Sequence, residues 1–162
     1  MKATPPIDPP FQGPAAPAPD PKRRPSILIV EDEPSICRAV AIALTRAGYD
    51  PVTATSGEGA LYHLRTRYFD LMLADLRIPD MRGDVVFHLA TSLQPQLRTQ
   101  TLFITGDVTE QAVELIEACG CPLLMKPFDL RDLTGAVEVM MERRETIVHS
   151  QEAPQQRAEG AA

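Results

Sequence analysis

Three acids, a threonine and a lysine stand where apolar runs stop. Glu31 and Asp32 follow SILIV, Asp75 follows LMLA, Thr105 closes TLFIT, and Lys126 follows LLM just before Pro127. Carboxylates gathered in one place repel each other, and one takes up a proton unless a cation is supplied. A hard divalent ion such as Mg²⁺, which takes oxygen ligands in octahedral geometry and keeps several waters, meets that need. Lys126 and Thr105 are then left to bind other oxygens. A metal, an ammonium, a hydroxyl and loop amides together suit a phosphoryl group. Asp75 has the chemistry of the acceptor, because carboxylates serve as nucleophiles in phosphoryl transfer.

For these residues to meet, the apolar runs must be neighbouring strands. Ser26 to Val30 is continuous rather than alternating, as expected for a strand covered on both faces. Pro34 and Ser35 open a helix with Ile36, Ala39, Val40, Ala43, Leu44 and Ala47 at helical spacing, stopped by Gly48. Tyr49 to Ala54 reads as a second strand, with Pro51 pointing to a sheet edge. Ser56 caps a helix that turns Ala60, Leu61 and Leu64 inward. Phe69 to Ala74 is the third strand; Ile78, Pro79 and a polar loop lead to Gly83 and a helix through Val86, Leu89, Ala90 and Leu93. Thr101 to Thr105 is the fourth strand. A helix with Val108, Ala112, Leu115 and Ile116 follows and stops near Gly120. Leu123 to Met125 is the fifth strand, and Asp129 caps a last helix through Leu130, Leu133, Val137 and Met141. Five strands alternating with five helices imply a parallel sheet, right-handed crossovers and helices on both faces. Ligands of such sheets bind at the carboxyl ends of the strands.

Composition narrows the function classes. With 162 residues and 44% hydrophobic content, the chain suits one packed domain. A net charge of -6 argues against direct nucleic-acid binding by the fold. Cys37, Cys119 and Cys121 are an odd set without paired spacing, which suits reduced thiols in the cytoplasm. Cys119 and Cys121 lack the second pair that a structural zinc site needs. No run approaches the ~20 apolar residues of a membrane span, and the first 25 residues lack a signal-peptide core. Most of the 16 prolines fall in residues 1–25, read as a disordered tail ending in a solvated junction, Lys22, Arg23 and Arg24. The domain is expected over 26–145, with a disordered polar tail over 146–162.

The motifs ILIVEDEP, LMLADLRIPDMRG, LFITGD and LLMKPFD, in this order and spacing, resemble the response-regulator receiver domain of two-component signalling. The likeness spans Ser26 to Glu145. It implies a flavodoxin-like three-layer α/β sandwich with a five-stranded parallel sheet in the order 2-1-3-4-5. It further implies that Asp75 is the phosphoacceptor, that Asp32 and Asp75 ligate Mg²⁺, that Glu31 assists through water, and that Arg77 offers its backbone carbonyl. Thr105 and Lys126 would bind phosphoryl oxygens, with a cis Lys126–Pro127 bond. The chain is expected to be no enzyme beyond its own phosphorylation and dephosphorylation. It would take the group from a histidine kinase or histidine phosphotransfer protein, since His63 and His88 sit in helices and His149 in the tail. No output segment is expected after residue 145. Output is therefore expected through a protein target, with a homodimer through the fourth helix, fifth strand and fifth helix, where Ala136 and Val139 are candidate contacts. A phosphate sink, a detached receiver of a hybrid kinase and an unphosphorylated binding module are the alternatives. A phosphohydrolase is disfavoured because Arg77 stands where that class has a second Asp.

Two positions depart from the family. Leu123 occupies the place of an aromatic switch residue, and Glu31 that of an Asp. Arg77 and Asp107, opposite in charge on facing loops, are expected to pair across the pocket.

Overall fold

The computed structural model describes residues 12–152; the parts of the expected tails at 1–11 and 153–162 lie outside the described residues. The elements are β1 (Ser26–Val30), α1 (Pro34–Arg46), β2 (Asp50–Ala54), α2 (Gly57–Thr66), β3 (Leu71–Ala74), α3 (Gly83–Leu93), a 3-10 turn (Pro95–Arg98), β4 (Thr101–Thr105), α4 (Glu110–Cys119), β5 (Leu123–Met125) and α5 (Leu130–Glu152). All strand pairs are parallel, in the order β2-β1-β3-β4-β5. This is the expected flavodoxin-like sandwich, and Pro51 sits on the edge strand, where a missing N–H is tolerated.

Alternation along the strands divides the interior in two. Leu28, Val30, Met72, Ala74 and Phe103 face α2, α3 and α4. Ile27, Ile29, Leu71, Leu73, Leu102 and Ile104 face α1 and α5. Register then fixes the site: Val30 pairs with Ala74, and Thr105 with Met125. The residues that follow, Glu31, Asp75 and Lys126, therefore leave the sheet at adjoining strand ends.

The structure shifts several expected details. β3 begins at Leu71, because the Phe69 amide donates to Gln94 Oε1 at 2.9 Å instead of continuing a ladder. On α1 the buried line is Cys37, Val40 and Leu44, while Ala39 and Ala47 are exposed. Alanine is indifferent to either face, so the apolar pattern left the rotation loose. Leu89 on α3 is likewise exposed. Val108 lies outside α4, which is capped by Thr109, and is 64% exposed.

The chain ends also differ from a reading as free tails. α5 continues as helix to Glu152, past the expected boundary at Glu145. Arg23 is no solvated junction residue. Both terminal nitrogens of its guanidinium donate to the Asp70 carboxylate at 2.8 Å. Arg144 of α5 donates to the same carboxylate, as does the Ser26 amide at 2.7 Å. Asp70 is fully buried beneath them. Burial alone would push its carboxyl up, but the combined bonds from Arg23, Arg144 and Ser26 hold it below the usual carboxylate range. One acid thus ties the segment before β1 and the far part of α5 to the amino end of the sheet.

Removing one partner of a buried ionic cluster leaves the others uncompensated. Asp70→Ala is expected to lower the unfolding free energy by about 3 kcal/mol, read by urea titration at pH 7. A loss no larger than the ~1 kcal/mol of an exposed ion pair would contradict the clasp. Because the folded carboxyl is depressed, its contribution is present above the unfolded value near ~3.9. It fades as pH falls through the folded value, so the difference between wild type and Asp70→Asn should shrink in acid.

Candidate functional site

The site is built at the carboxyl ends of β1, β3, β4 and β5. Asp75 leaves β3 with its amide still bonded to the Val30 carbonyl at 2.9 Å, so its position is set by the sheet. Gly83 opens α3 directly behind it. Its amide donates to the Leu76 carbonyl at 2.8 Å, and a β-carbon there would collide with the Asp75 carbonyl. Only glycine permits this approach of helix to loop.

Lys126 reaches in from the end of β5, its amide held by the Thr105 carbonyl at 2.9 Å. The Lys126–Pro127 bond is cis. The ammonium lies 2.6 Å from Asp75 Oδ2 and 2.6 Å from Glu31 Oε2. The contact with Asp75 is an aligned hydrogen bond. The contact with Glu31 is Coulombic, since Glu31 Oε2 receives no aligned donor. The other Asp75 oxygen accepts from the Arg77 amide at 3.0 Å. Glu31 Oε1 accepts from the Glu33 amide at 3.1 Å.

This arrangement leaves an imbalance of charge. Burial pushes the Glu31 carboxyl up, against the opposing pull of Lys126 and the Glu33 amide. Burial would lower Lys126, but its hydrogen bond to Asp75 and its close contact with the Glu31 carboxylate outweigh that and raise it, so the ammonium stays charged. One cation thus serves two buried carboxylates while Asp32 stands exposed beside them. Ligand oxygens of Glu31, Asp32 and Asp75 lie within 4.8 Å of one another. All are hard oxygen donors, one is open to solvent, and their negative charge exceeds the single ammonium. These residues fit a divalent ion such as Mg²⁺.

Thr105 is buried at the end of β4, and its hydroxyl accepts from the Asp107 amide at 3.1 Å. Asp75, Arg77, Thr105, Asp107, Thr109 and Lys126 line one open cleft of about 470 Å³. The expected pair is formed: Arg77 Nε donates to Asp107 Oδ2 at 2.6 Å across the mouth. Arg77 first, then the Thr109 amide, hold the Asp107 carboxyl down at about 2. The structure brings together Glu31, Asp32, Asp75, Arg77, Thr105 and Lys126. His63 and His88 lie on α2 and α3. Sequence reading missed the Lys126–Glu31 contact; the signal was one ammonium among three acids. It also missed the bond between Asp107 and Thr109, for which an acid two residues before a capping threonine was the cue.

Residues 27–138 match the family model described as response regulator receiver domain. The response regulator receiver protein CpdR of Brucella abortus is 35% identical over 119 residues, covering 71% of this chain and 95% of that protein. The transcriptional regulatory protein ZraR of Escherichia coli O157:H7 is 33% identical over 112 residues, and the chain spans 25% of its length. A CheY-like receiver domain protein from Methanospirillum hungatei superposes with a TM-score of 0.72 at 26% identity, over 76% of this chain and 98% of that one. The chemotaxis protein CheY4 of Vibrio cholerae gives 0.67 at 27% identity, over 73% and 99%.

An ion bound only by the folded state stabilises it by mass action, by about 2.7 kcal/mol at one hundred times its dissociation constant. Mg²⁺ is therefore expected to raise the unfolding temperature of the wild type, and Asp32→Asn to remove most of that rise. An undiminished rise in the variant would take Asp32 out of the cation site.

Proposed function

We propose that this chain, which belongs to the response regulator receiver domain family, accepts a phosphoryl group on Asp75 and signals through the surface which that change alters. The observation that carries this is the Asp75 carboxylate itself. It is placed by the sheet, bonded to an ammonium that can follow charge onto a phosphoryl oxygen, and opens on a cleft lined by Thr105, Arg77 and Lys126.

The donor is a phosphohistidine on a histidine kinase or histidine phosphotransfer protein. One Asp75 oxygen attacks phosphorus in line, the phosphorus–nitrogen bond breaks, and its electron pair stays on the departing imidazole. Lys126 turns its ammonium from Asp75 Oδ2 toward a phosphoryl oxygen, and the Thr105 hydroxyl donates to another. The Arg77 amide keeps the acceptor carboxylate oriented. Asp32 and Asp75, with the Arg77 carbonyl and with Glu31 through water, would hold Mg²⁺, which when bound neutralises phosphoryl charge as a Lewis acid. The chain acts on no other substrate. The later loss of the group is attack by water at the same phosphorus. The Arg77 side chain, at the mouth of the cleft, stands across that approach and slows it.

A cytoplasmic setting is supported by the free thiols of Cys37, Cys119 and Cys121. No helix among the described residues is long and apolar enough to cross a membrane. Output through contact with a protein target is supported by the receiver protein of Brucella abortus, which is covered over 95% of its length, although the transcriptional regulatory protein ZraR is covered over 25%. Val108, Met125 and Val139 expose apolar surface on the β4–α4 loop, β5 and α5, the surface read as output and dimer face. Ala136, half-buried on α5, packs against the core beside that surface.

Incubation with acetyl phosphate and Mg²⁺ is expected to give one acid-labile phosphoryl group on the wild type and none on Asp75→Asn. Equal labelling of the two would refute the assignment. Arg77→Ala is expected to lose phosphate about tenfold faster, ~1.4 kcal/mol of barrier. An unchanged rate would remove the guard role of Arg77.

A further inference from the structure

Asp107 touches two groups, Thr105 and Arg77, that would feel a phosphoryl group on Asp75. Its amide donates to the Thr105 hydroxyl at 3.1 Å. One carboxylate oxygen accepts from Arg77 Nε at 2.6 Å, and the other from the Thr109 amide at 3.0 Å. Thr109 is the N-cap of α4, its hydroxyl accepting from the Ala112 amide at 3.3 Å. Arg77 is itself tied to the acceptor, since its amide donates to Asp75 Oδ1 at 3.0 Å. A continuous chain of hydrogen bonds thus runs from Asp75 through Arg77 and Asp107 to the first turn of α4. Thr105 joins it at Asp107.

We propose that Asp107 is a positioning residue that couples the phosphorylation state of Asp75 to the N-terminus of α4, holding the Thr109 cap only while Arg77 and Thr105 are not engaged by the phosphoryl group. The proposal rests on the reading of Asp75 as acceptor. A phosphoryl group brings roughly -1.5 to -2 of charge and three strong acceptor oxygens. A guanidinium matches phosphate oxygens in fork geometry, and the Arg77 side chain is 70% exposed and free to swing. Asp107 then loses its cation and faces a like charge. The Thr105 hydroxyl, turning to a phosphoryl oxygen, draws away the acceptor of the Asp107 amide. Both changes act on one residue in the same direction. Once Asp107 moves, the Thr109 amide loses its acceptor and the first turn of α4, whose amides have no partners within the helix, frays.

The polar route matters because the apolar one is mute. Leu123, on β5 beside Phe103, is packed against the cluster that holds Phe103, Ala112 and Ile116. It has no hydroxyl with which to exchange partners. Val108, exposed between Asp107 and Thr109, moves with the joint, so the apolar surface shown to a target changes with the state of Asp75.

Hydrogen–deuterium exchange on the full chain, with and without Mg²⁺ and beryllofluoride, tests this, with loading followed separately by fluorine NMR. In loaded wild type the amides of Gln111 to Val113 are expected to exchange roughly tenfold faster than in the free protein. In Asp107→Ala they should be fast already and gain less than about twofold on loading. Thr109→Ala should behave the same way, and Thr109→Ser should restore the wild-type step. Arg77→Gln cuts the chain at its other end and should reproduce the Asp107→Ala pattern, which keeps the test open if that variant folds poorly. A loaded wild type whose α4 amides exchange no faster would overturn the coupling, as would an Asp107→Ala protein that keeps the full step. A wild type that takes up no beryllofluoride would overturn the acceptor reading, and the coupling with it.

Discussion

A single ammonium between two buried carboxylates sets the terms for this molecule. Lys126 Nζ lies 2.6 Å from both Asp75 and Glu31, and among the described residues no other cation contacts either acid. Charges withdrawn from water are costly unless paired, so the sheet must bring three distant chain segments to one point. Parallel pairing does this. The register that sets Val30 against Ala74 and Thr105 against Met125 places the following residues side by side. Gly83 then lets α3 close behind Asp75 without displacing it. The pairing is incomplete: two buried carboxylates share one ammonium and the exposed Asp32 stands beside them, an excess of negative charge that a cation and a phosphoryl group can use.

The two ends of the sheet handle a buried acid in opposite ways. At the amino end Asp70 is saturated by Arg23, Arg144 and the Ser26 amide, and is closed off from solvent. Nothing there is left to react, and the result is mechanical. The segment before β1 and the far part of α5 are tied to the sheet. At the carboxyl end the acids outnumber the cation, and Arg77 is spent on Asp107 rather than on Asp75. One cluster contributes stability, and the other holds reactivity. The same residue types give both outcomes, and the ratio of cations to carboxylates decides between them.

Most of the fold could be read from apolar runs. SILIV, TLFIT and LLM became strands at the expected bounds, and Gly83 to Leu93 a helix, because continuous β-branched runs and breaker residues speak for themselves. Rotation was less legible where alanine dominates: Ala39 and Ala47 match the inward template but face out. The start of α4 was misjudged because Val108 is apolar, while Thr109 provides the cap. The role of Arg23 was invisible, since its partner stands 47 positions away and sequence carries no distance. The extent of α5 was missed because a polar composition forbids a packed core, not a helix whose inner face is already anchored by Arg144. At the site, order and spacing delivered Glu31, Asp32, Asp75, Arg77, Thr105, Asp107 and Lys126, but not Thr109, which also lines the cleft. The contact between Lys126 and Glu31 was beyond them, being a matter of reach.

The central claim is that Asp75, with Lys126 at its side, receives phosphorus. The most direct measurement is a crystal structure of the chain grown with Mg²⁺ and beryllofluoride. The expected result is a tetrahedral fluoride adduct on an Asp75 oxygen, with Lys126 Nζ and the Thr105 hydroxyl each within hydrogen-bond distance of a fluorine. An adduct on any other residue, or an unmodified Asp75 at saturating ligand with Lys126 still between the two carboxylates, would contradict it.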